Sequence, residues 1–290
     1  MGEFIECENL VKIYKVADLE VVALQGLDLV VSSGEMIALV GPSGSGKSTL
    51  MNILGGLDTP SAGRVRVGER NLVDIDRRDQ VRYRRAVVGF VWQQTARNLL
   101  PYLTALENVE LPMAFSGIKG RERRQRAQDF LARVGLQNQM HDRPDRLSGG
   151  EQQRVAIAVG MANQPSLLLA DEPTGEVDSQ AASQIFDALR AFNRAYGMTI
   201  IIVTHDYNVV SRVDRVIGMR DGRASTEVSR QRDAAGVALT EEEFALLDRT
   251  GRLQLPQAYI EALDLHDRVR LHLHEDHVGV YPDDSRRGAP

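Results

Sequence analysis

The chain predicts an α/β fold with a parallel sheet at its centre. Three continuous apolar runs carry that prediction: Met36–Val40, Ser166–Ala170 and Thr199–Val203. Unbroken apolar runs of this length suit strands buried on both faces, whereas a half-exposed strand would alternate. Each run stops at a glycine or a polar group: Gly41, then Asp171-Glu172, then Thr204-His205-Asp206. Ligands of open α/β sheets bind at the carboxyl ends of the strands, which is where these groups would gather.

The first run leads into Gly41-Pro42-Ser43-Gly44-Ser45-Gly46-Lys47-Ser48, and Lys47–Leu57 then reads as a helix. A G-x-x-x-x-G-K-[ST] octet between a strand and a helix is the phosphate-cradling P-loop in its confirming context. Gly41, Gly44 and Gly46 let backbone N–H groups turn inward with no Cβ in the way. Pro42, Ser43 and Ser45 complete the cradle, and the helix N-terminus adds partial positive charge. In this reading Lys47 reaches the β- and γ-phosphates, Ser48 ligates Mg²⁺ and Thr49 contacts the α-phosphate.

Asp171 and Glu172 end the second run. Two adjacent carboxylates at the end of a buried strand are costly unless used or paired. Asp171 suits a Mg²⁺ ligand, and Glu172 is placed to orient or deprotonate an attacking water. His205 ends the third run and is read as a γ-phosphate contact.

Leu147-Ser148-Gly149-Gly150-Glu151-Gln152-Gln153-Arg154 is a second glycine-containing string that runs into a helix-forming stretch, Glu151–Ala162. With the P-loop and the acidic pair, it makes the chain resemble the nucleotide-binding subunits of ABC transporters over residues 4 to about 224. The resemblance implies a RecA-like P-loop ATPase core with an antiparallel β subdomain and a helical subdomain at about 95–160. It assigns Gln93 to the Q-loop, beside Ser48 and Asp171 around Mg²⁺. It also assigns Asp178 to the D-loop, His205 to the switch position and Tyr14 to stacking on adenine. Ser148, Gly149 and Gly150 of one subunit would cap the γ-phosphate held by the Gly41–Thr49 loop of a second, head-to-tail copy. ATP would close the pair and hydrolysis would open it. Glu172, His205, Gln93 and Lys47 are then the catalytic residues, and ATP and Mg²⁺ are implied.

Within the family, Met51–Asp58 and Leu106–Pro112 are similar to ATPases of lipoprotein release, macrolide efflux and FtsE-type systems. That implies an FtsX-like permease partner and a peripheral position on the cytoplasmic side of the cell membrane. Two departures stand out. The loop between Gln94 and Leu99 is about two residues longer than usual, and Glu176 replaces a common Asn beside the D-loop.

The chain has 290 residues, 43% hydrophobic and 26% charged, an ordinary globular balance for one full-size core with a small extra module. No apolar stretch reaches the eighteen or so residues that span a bilayer, and the acidic start MGEFIECENL does not read as a signal peptide. Cys7 is the lone cysteine, which fits a reducing compartment. The net charge of −5 argues against stable nucleic-acid binding. Only Lys12, Lys15, Lys47 and Lys119 of the 35 basic residues are lysine, so Lys47 stands out against a strong arginine bias. The arginines of 77–85 and 121–126 are mixed with acidic and apolar residues at helical spacing. They read as solvated helix faces, with anionic headgroups as the sharper alternative.

Beyond residue 225 the sequence predicts a polar linker with a short helix capped near Thr240, spanning 226–245. A module at 246–284 follows, then a tail at 285–290. Asp248-Arg249-Thr250-Gly251-Arg252-Leu253-Gln254-Leu255-Pro256, a helix at Gln257–Leu265 and strands at Arg268–Leu273 and His277–Tyr281 resemble the AbrB/SpoVT swapped-hairpin module. That resemblance implies dimerisation. From Leu246 to Pro290 there are eight acids and six arginines, a net of −2, which argues against a DNA-gripping face. His272, His274 and His277 lack the cysteine or clear quartet that a metal centre needs, and read as an exposed hairpin edge. The alternative function is a soluble ABC-type regulatory ATPase without a permease, linked to DNA through this module.

Overall fold

The computed structural model describes residues 2–16, 19–94, 98–175, 177–205, 207–232 and 238–283. Most of the lengthened loop (95–97), Glu176, Asp206 and the 285–290 tail lie outside the described residues.

Two long strands, β1 (Glu3–Val16) and β2 (Leu19–Ser32), open the chain and lead into β3 (Met36–Val40) and helix α1 (Lys47–Leu54). Next come β4 (Ala62–Val67), β5 (Arg70–Asn71), α2 (Arg77–Ala86) and β6 (Val88–Val91). Three helices follow: α3 (Ala105–Phe115), α4 (Gly120–Arg133) and α5 (Gly149–Met161). The chain returns to the sheet through β7 (Leu167–Asp171), α6 (Ser179–Tyr196), β8 (Thr199–Thr204) and β9 (Arg215–Arg220). It ends with β10 (Arg223–Arg232), β11 (Ala238–Ala245), α7 (Gln257–Ala262), β12 (Val269–Leu273) and β13 (Val278–Pro282).

The three apolar runs are adjacent strands. The large sheet runs β11-β10-β9-β3-β8-β7-β6, parallel from β9 to β6. A second, antiparallel sheet has the order β2-β1-β4-β5. Alternate residues of the central strands feed two different cores. Met36, Ala38, Val40, Leu168, Ala170, Ile200 and Ile202 pack with residues of α3, α5 and α6. Ile37, Leu39, Leu167, Leu169, Ile201 and Val203 pack with α1 and the antiparallel sheet. A strand between two cores has no wet face, which is why its sequence does not alternate. Cys7 lies in the second core, where burial pushes its thiol up to about 12, so it is inert packing.

Several boundaries differ from expectation. Helix α1 stops at Leu54 rather than Leu57, because Gly55-Gly56 ends it and Gly56 takes φ 66°. Helix α7 likewise stops at Ala262, short of Leu265, with Asp264 at φ 52°. The short helix expected near Thr240 is instead strand β11, and Thr226–Arg232 of the expected linker is strand β10. Strand β10 carries an open row of backbone N–H and C=O groups along its outer edge. Strand β11 pairs with that row, from Thr226↔Ala245 to Arg232↔Ala238. Pairing with a sheet edge outweighs a local capping preference of about 1 kcal/mol.

The segment after β11 is tied back to the core. Asp248 folds a tight turn, its Oδ1 accepting from Thr250 N, Thr250 Oγ1 and Arg252 N. Its Oδ2 accepts from Arg223 at 3.0 Å and from Arg252 at 2.7 Å. Hydrogen bonds from Arg252 and Thr250 hold its carboxyl far below the usual range. Arg249 reaches Glu8 at 2.9 Å and Asp28 at 3.6 Å on the antiparallel sheet. The closing hairpin forms as expected, β12 against β13, with Leu271 66% and Leu273 85% exposed. No helix among the described residues is long and apolar enough to cross a membrane. The arginine-rich helices are surface elements with local partners, such as Arg82–Asp79 on α2 and Arg126–Glu122 on α4.

Candidate nucleotide site

A cavity of about 560 Å³ opens at the carboxyl ends of β3, β7 and β8. Tyr14, Gly41, Ser43, Gly44, Ser45, Gly46, Lys47, Ser48, Thr49, Gln93, Asp171, Glu172 and His205 all line it. With Val21, Val22 and Ala23 of β2 also in the lining, one site gathers residues from six separate stretches of sequence.

The loop is shaped for an anion. A Cβ on Gly41 (φ 151°) would sit 2.1 Å from the Met219 carbonyl oxygen, and one on Gly46 (φ 99°) 2.6 Å from that of Ala23. Only glycine fits either position. Helices α2, α3, α5 and α6 begin with a capping side chain (Asp76, Thr104, Ser148 and Asp178), whereas α1 begins at Gly46 with none and has no acid in its first turn. Its first amides are therefore left for a ligand, and the helix end favours a negative one. Lys47 Nζ donates to the carbonyls of Gly41 (2.7 Å) and Pro42 (2.9 Å). Burial lowers its pKa, opposed by the charges of Glu172 and Asp171.

Burial raises the Asp171 pKa, and the neighbouring Glu172 charge adds to this, while Lys47 opposes it. A carboxylate pushed up in this way gains from a cation beside it. Asp171, the Ser48 hydroxyl and the Gln93 amide oxygen are hard oxygen donors of the kind Mg²⁺ takes. The donor set therefore fits that ion.

Glu172 sits in the left-handed region at φ 44°, a conformation that costs on the order of 1–3 kcal/mol. It is held there from three sides. Its N–H donates to the Val203 carbonyl at 2.8 Å. Thr204 Oγ1 donates to its Oε2 at 2.9 Å, and His205 Nδ1 lies 2.8 Å from its Oε1. Glu172 is nearly buried, at 12% exposed, while His205 is 74% exposed and faces the cavity mouth. Sequence reasoning named Thr204 only as part of a polar cluster. Its clamp on Glu172 follows from β7 and β8 being neighbours in register Asp171↔Val203.

Ser148, Gly149, Gly150 and Asp178 lie elsewhere. Ser148 caps α5 in a reciprocal box: its Oγ accepts from Glu151 N (3.3 Å), and its own N donates to Glu151 Oε2 (2.8 Å). The S-x-x-E spacing is the signal for that box, and sequence reasoning passed over it. Asp178 caps α6 through Ala181 N at 2.8 Å. A Cβ on Gly150 would meet Ala181 Cβ at 2.7 Å, so these two helix starts are packed together. In one chain the Ser148–Gly150 loop and the Gly41–Thr49 cradle are therefore separate.

Tyr14 is the cavity's aromatic wall. Its hydroxyl donates to Asp58 Oδ2 at 2.8 Å, and burial followed by this bond raises its pKa. Neither Asp58 nor Lys12, which also binds Asp58, was read from the sequence as a site residue.

A buried parallel sheet with a P-loop, an acidic strand end and a clamped glutamate defines a P-loop nucleoside-triphosphate hydrolase. The chain belongs to the ABC transporter family, whose pattern it matches over residues 24–175. It is 45% identical over 231 residues to an uncharacterized ABC transporter ATP-binding protein of Thermotoga maritima, spanning 77% of this chain and 94% of that protein. It is 47% identical over 210 residues to the macrolide export ATP-binding/permease protein MacB of Burkholderia thailandensis, spanning 72% of this chain but only 32% of MacB. The ATP-binding cassette MJ0796 in a dimeric post-hydrolysis state bound to ADP and Pi superposes with a TM-score of 0.71 at 41% identity, over 78% of this chain and 98% of that one. The protein is an ABC-type ATPase that uses ATP and Mg²⁺.

Proposed function

We propose that this chain is the ATP-hydrolysing subunit of a transporter, powering an FtsX-like permease from the cytoplasmic face of the membrane by ATP-driven closure of two copies. The observation that carries the reading is that Ser148, Gly149 and Gly150 lie outside the cavity that the Gly41–Thr49 loop lines. In a head-to-tail pair, Ser148, Gly149 and Gly150 of one copy would meet the γ-phosphate in the Gly41–Thr49 cradle of the other. The dimeric cassettes among its relatives support such a pair, and the joint ATP-binding and permease naming of MacB supports a membrane partner.

The residues divide the work as follows. The loop amides and Lys47 bind and orient the phosphates, and Tyr14 stacks on the base. Ser48, Gln93 and Asp171 would hold Mg²⁺, which would neutralise charge on the phosphate oxygens. Glu172, aimed by Thr204 and His205, takes the proton from the attacking water. His205 and Lys47 then face the charge that develops on the γ-phosphate.

The 246–284 module is assigned to dimerisation, in the manner of the AbrB/SpoVT hairpin. A lone two-stranded hairpin is marginal in water. Leu271, Leu273 and Val278 are exposed on this one, which suits cover by a second copy. Such a clamp would keep the two ATPases together after hydrolysis.

The test uses Glu172→Gln, tagged, loaded with Mg-ATP and recovered from detergent-solubilised native membranes. Co-purification of a permease with a large extracytoplasmic domain is expected. Recovery of soluble proteins or DNA alone would refute the permease and favour the soluble regulatory ATPase.

A further inference from the structure

Lys12 and Tyr14 lie two residues apart on β1, so both side chains project from one face of the strand. That face meets the segment just after α1. Lys12 is buried to 9% exposure, and an ammonium so placed needs a partner. It finds two: Asp58 Oδ1 at 2.6 Å and the Thr59 carbonyl at 2.8 Å. Its Nζ also lies 4.8 Å from the centre of the Tyr14 ring. Thr59 N donates back to Asp58 Oδ1 at 2.7 Å. One carboxylate oxygen is thereby committed to Lys12 and Thr59, and the other, Oδ2, accepts the Tyr14 hydroxyl at 2.8 Å.

We infer that Asp58 is a positioning residue for the nucleotide base: fixed by Lys12, its carboxylate holds the Tyr14 ring in the plane that receives the purine. The inference rests on the reading of Tyr14 as the base platform and deepens it. Asp58 follows closely on α1, whose other end starts the phosphate cradle at Lys47-Ser48-Thr49. The Asp58 N–H donates to the Asn52 carbonyl of α1 at 3.2 Å, so the residue that holds the platform is fixed to the helix that starts the phosphate cradle. An untethered tyrosine would have to be ordered when the base arrives, and that ordering would weaken binding.

The test measures equilibrium binding of ATP and of inorganic tripolyphosphate to the full chain, with steady-state kinetics, for Tyr14→Phe, Asp58→Ala, the double variant and Tyr14→Ala. Tyr14→Phe keeps the ring and removes the tether, together with the hydroxyl's contact with Thr49. It and Asp58→Ala are each expected to weaken ATP by about three- to tenfold. The double variant should be no worse than either single one. For Asp58→Ala, tripolyphosphate affinity and kcat at saturating ATP should stay within about twofold, so the loss falls on KM. If Asp58→Ala weakens tripolyphosphate as much as ATP, Asp58 supports the cradle and the inference fails. If Tyr14→Ala weakens ATP but Tyr14→Phe and Asp58→Ala do not, the platform stands and the positioning role is wrong. If even Tyr14→Ala leaves ATP binding unchanged, the platform reading fails and takes the inference with it.

Discussion

The nucleotide cavity and the C-terminal hairpin are opposite solutions to placing side chains on strands. The cavity's strands β3 and β8 are buried along their whole length, and β7 is buried up to Asp171 at its end. The hairpin strand β12 is exposed at every position. The first arrangement fixes its groups within one chain. The second leaves Leu271 and Leu273 exposed. The cavity is held by contacts within the chain, whereas the hairpin, in the proposal above, is covered by a second copy.

The sharpest way to break this contrast is at Glu172. If the cavity is preorganised, Glu172→Gln should cut hydrolysis by about 10²- to 10⁴-fold while ATP binding persists. Phosphate release and equilibrium nucleotide binding, measured on the same sample, check both halves.

Gly41→Ala probes the packing behind the loop. Its methyl would lie 2.1 Å from the Met219 carbonyl oxygen, with the backbone at φ 151°. A loss of roughly 2–4 kcal/mol in stability is expected, together with loss of ATP binding. Denaturant unfolding with a binding titration reads both.

The hairpin should answer differently. Leu271→Asp with Leu273→Asp should leave the ATP affinity of the single chain within about twofold, since surface changes away from a site shift energies little. It should convert the nucleotide-free protein from dimer to monomer by sedimentation. A change in ATP affinity with no change in mass would erase the distinction between the two regions.

The smallest expected effect concerns Asp171. Its pKa is raised by burial and by Glu172, so its charged form is disfavoured in the fold. A raised carboxylate favours the folded state while protonated. That contribution is present below the unfolded value and is lost as pH climbs through the folded value. Asp171→Asn should therefore raise the melting temperature of the nucleotide-free protein at pH 7, narrow the difference at pH 4, and weaken Mg²⁺-dependent ATP binding. Thermal melts at the two pH values decide the sign.

Legibility in the sequence followed the same division. The apolar runs could be read as buried strands because each separates two cores. The glycine octet could be read because a backbone that approaches a carbonyl within van der Waals contact admits no side chain. The alternation of the hairpin was equally visible. What the capping pattern could not supply was strand pairing: Thr240-Glu241-Glu242-Glu243 has a capping pattern, yet β11 folds back on the preceding strand β10, from Arg232↔Ala238 to Thr226↔Ala245. The Thr204 clamp on Glu172 depends on strand order, and the link of Asp58 to Lys12 and Tyr14 joins positions more than forty residues apart. Asp58 was visible only as part of a family-like string, with nothing local to connect it to a tyrosine.

The central claim is that each working site is completed by a second copy, and subunit mixing tests it most directly. Lys47→Ala disables the cradle and leaves Ser148–Gly150 intact. Ser148→Arg disables the capping loop and leaves the cradle intact. Each variant alone should be nearly inactive. Mixed, they form pairs in which the cradle of one faces the Ser-Gly-Gly loop of the other, and ATP hydrolysis should reappear. Hydrolysis in the mixture no greater than the average of the two parents would contradict the shared site.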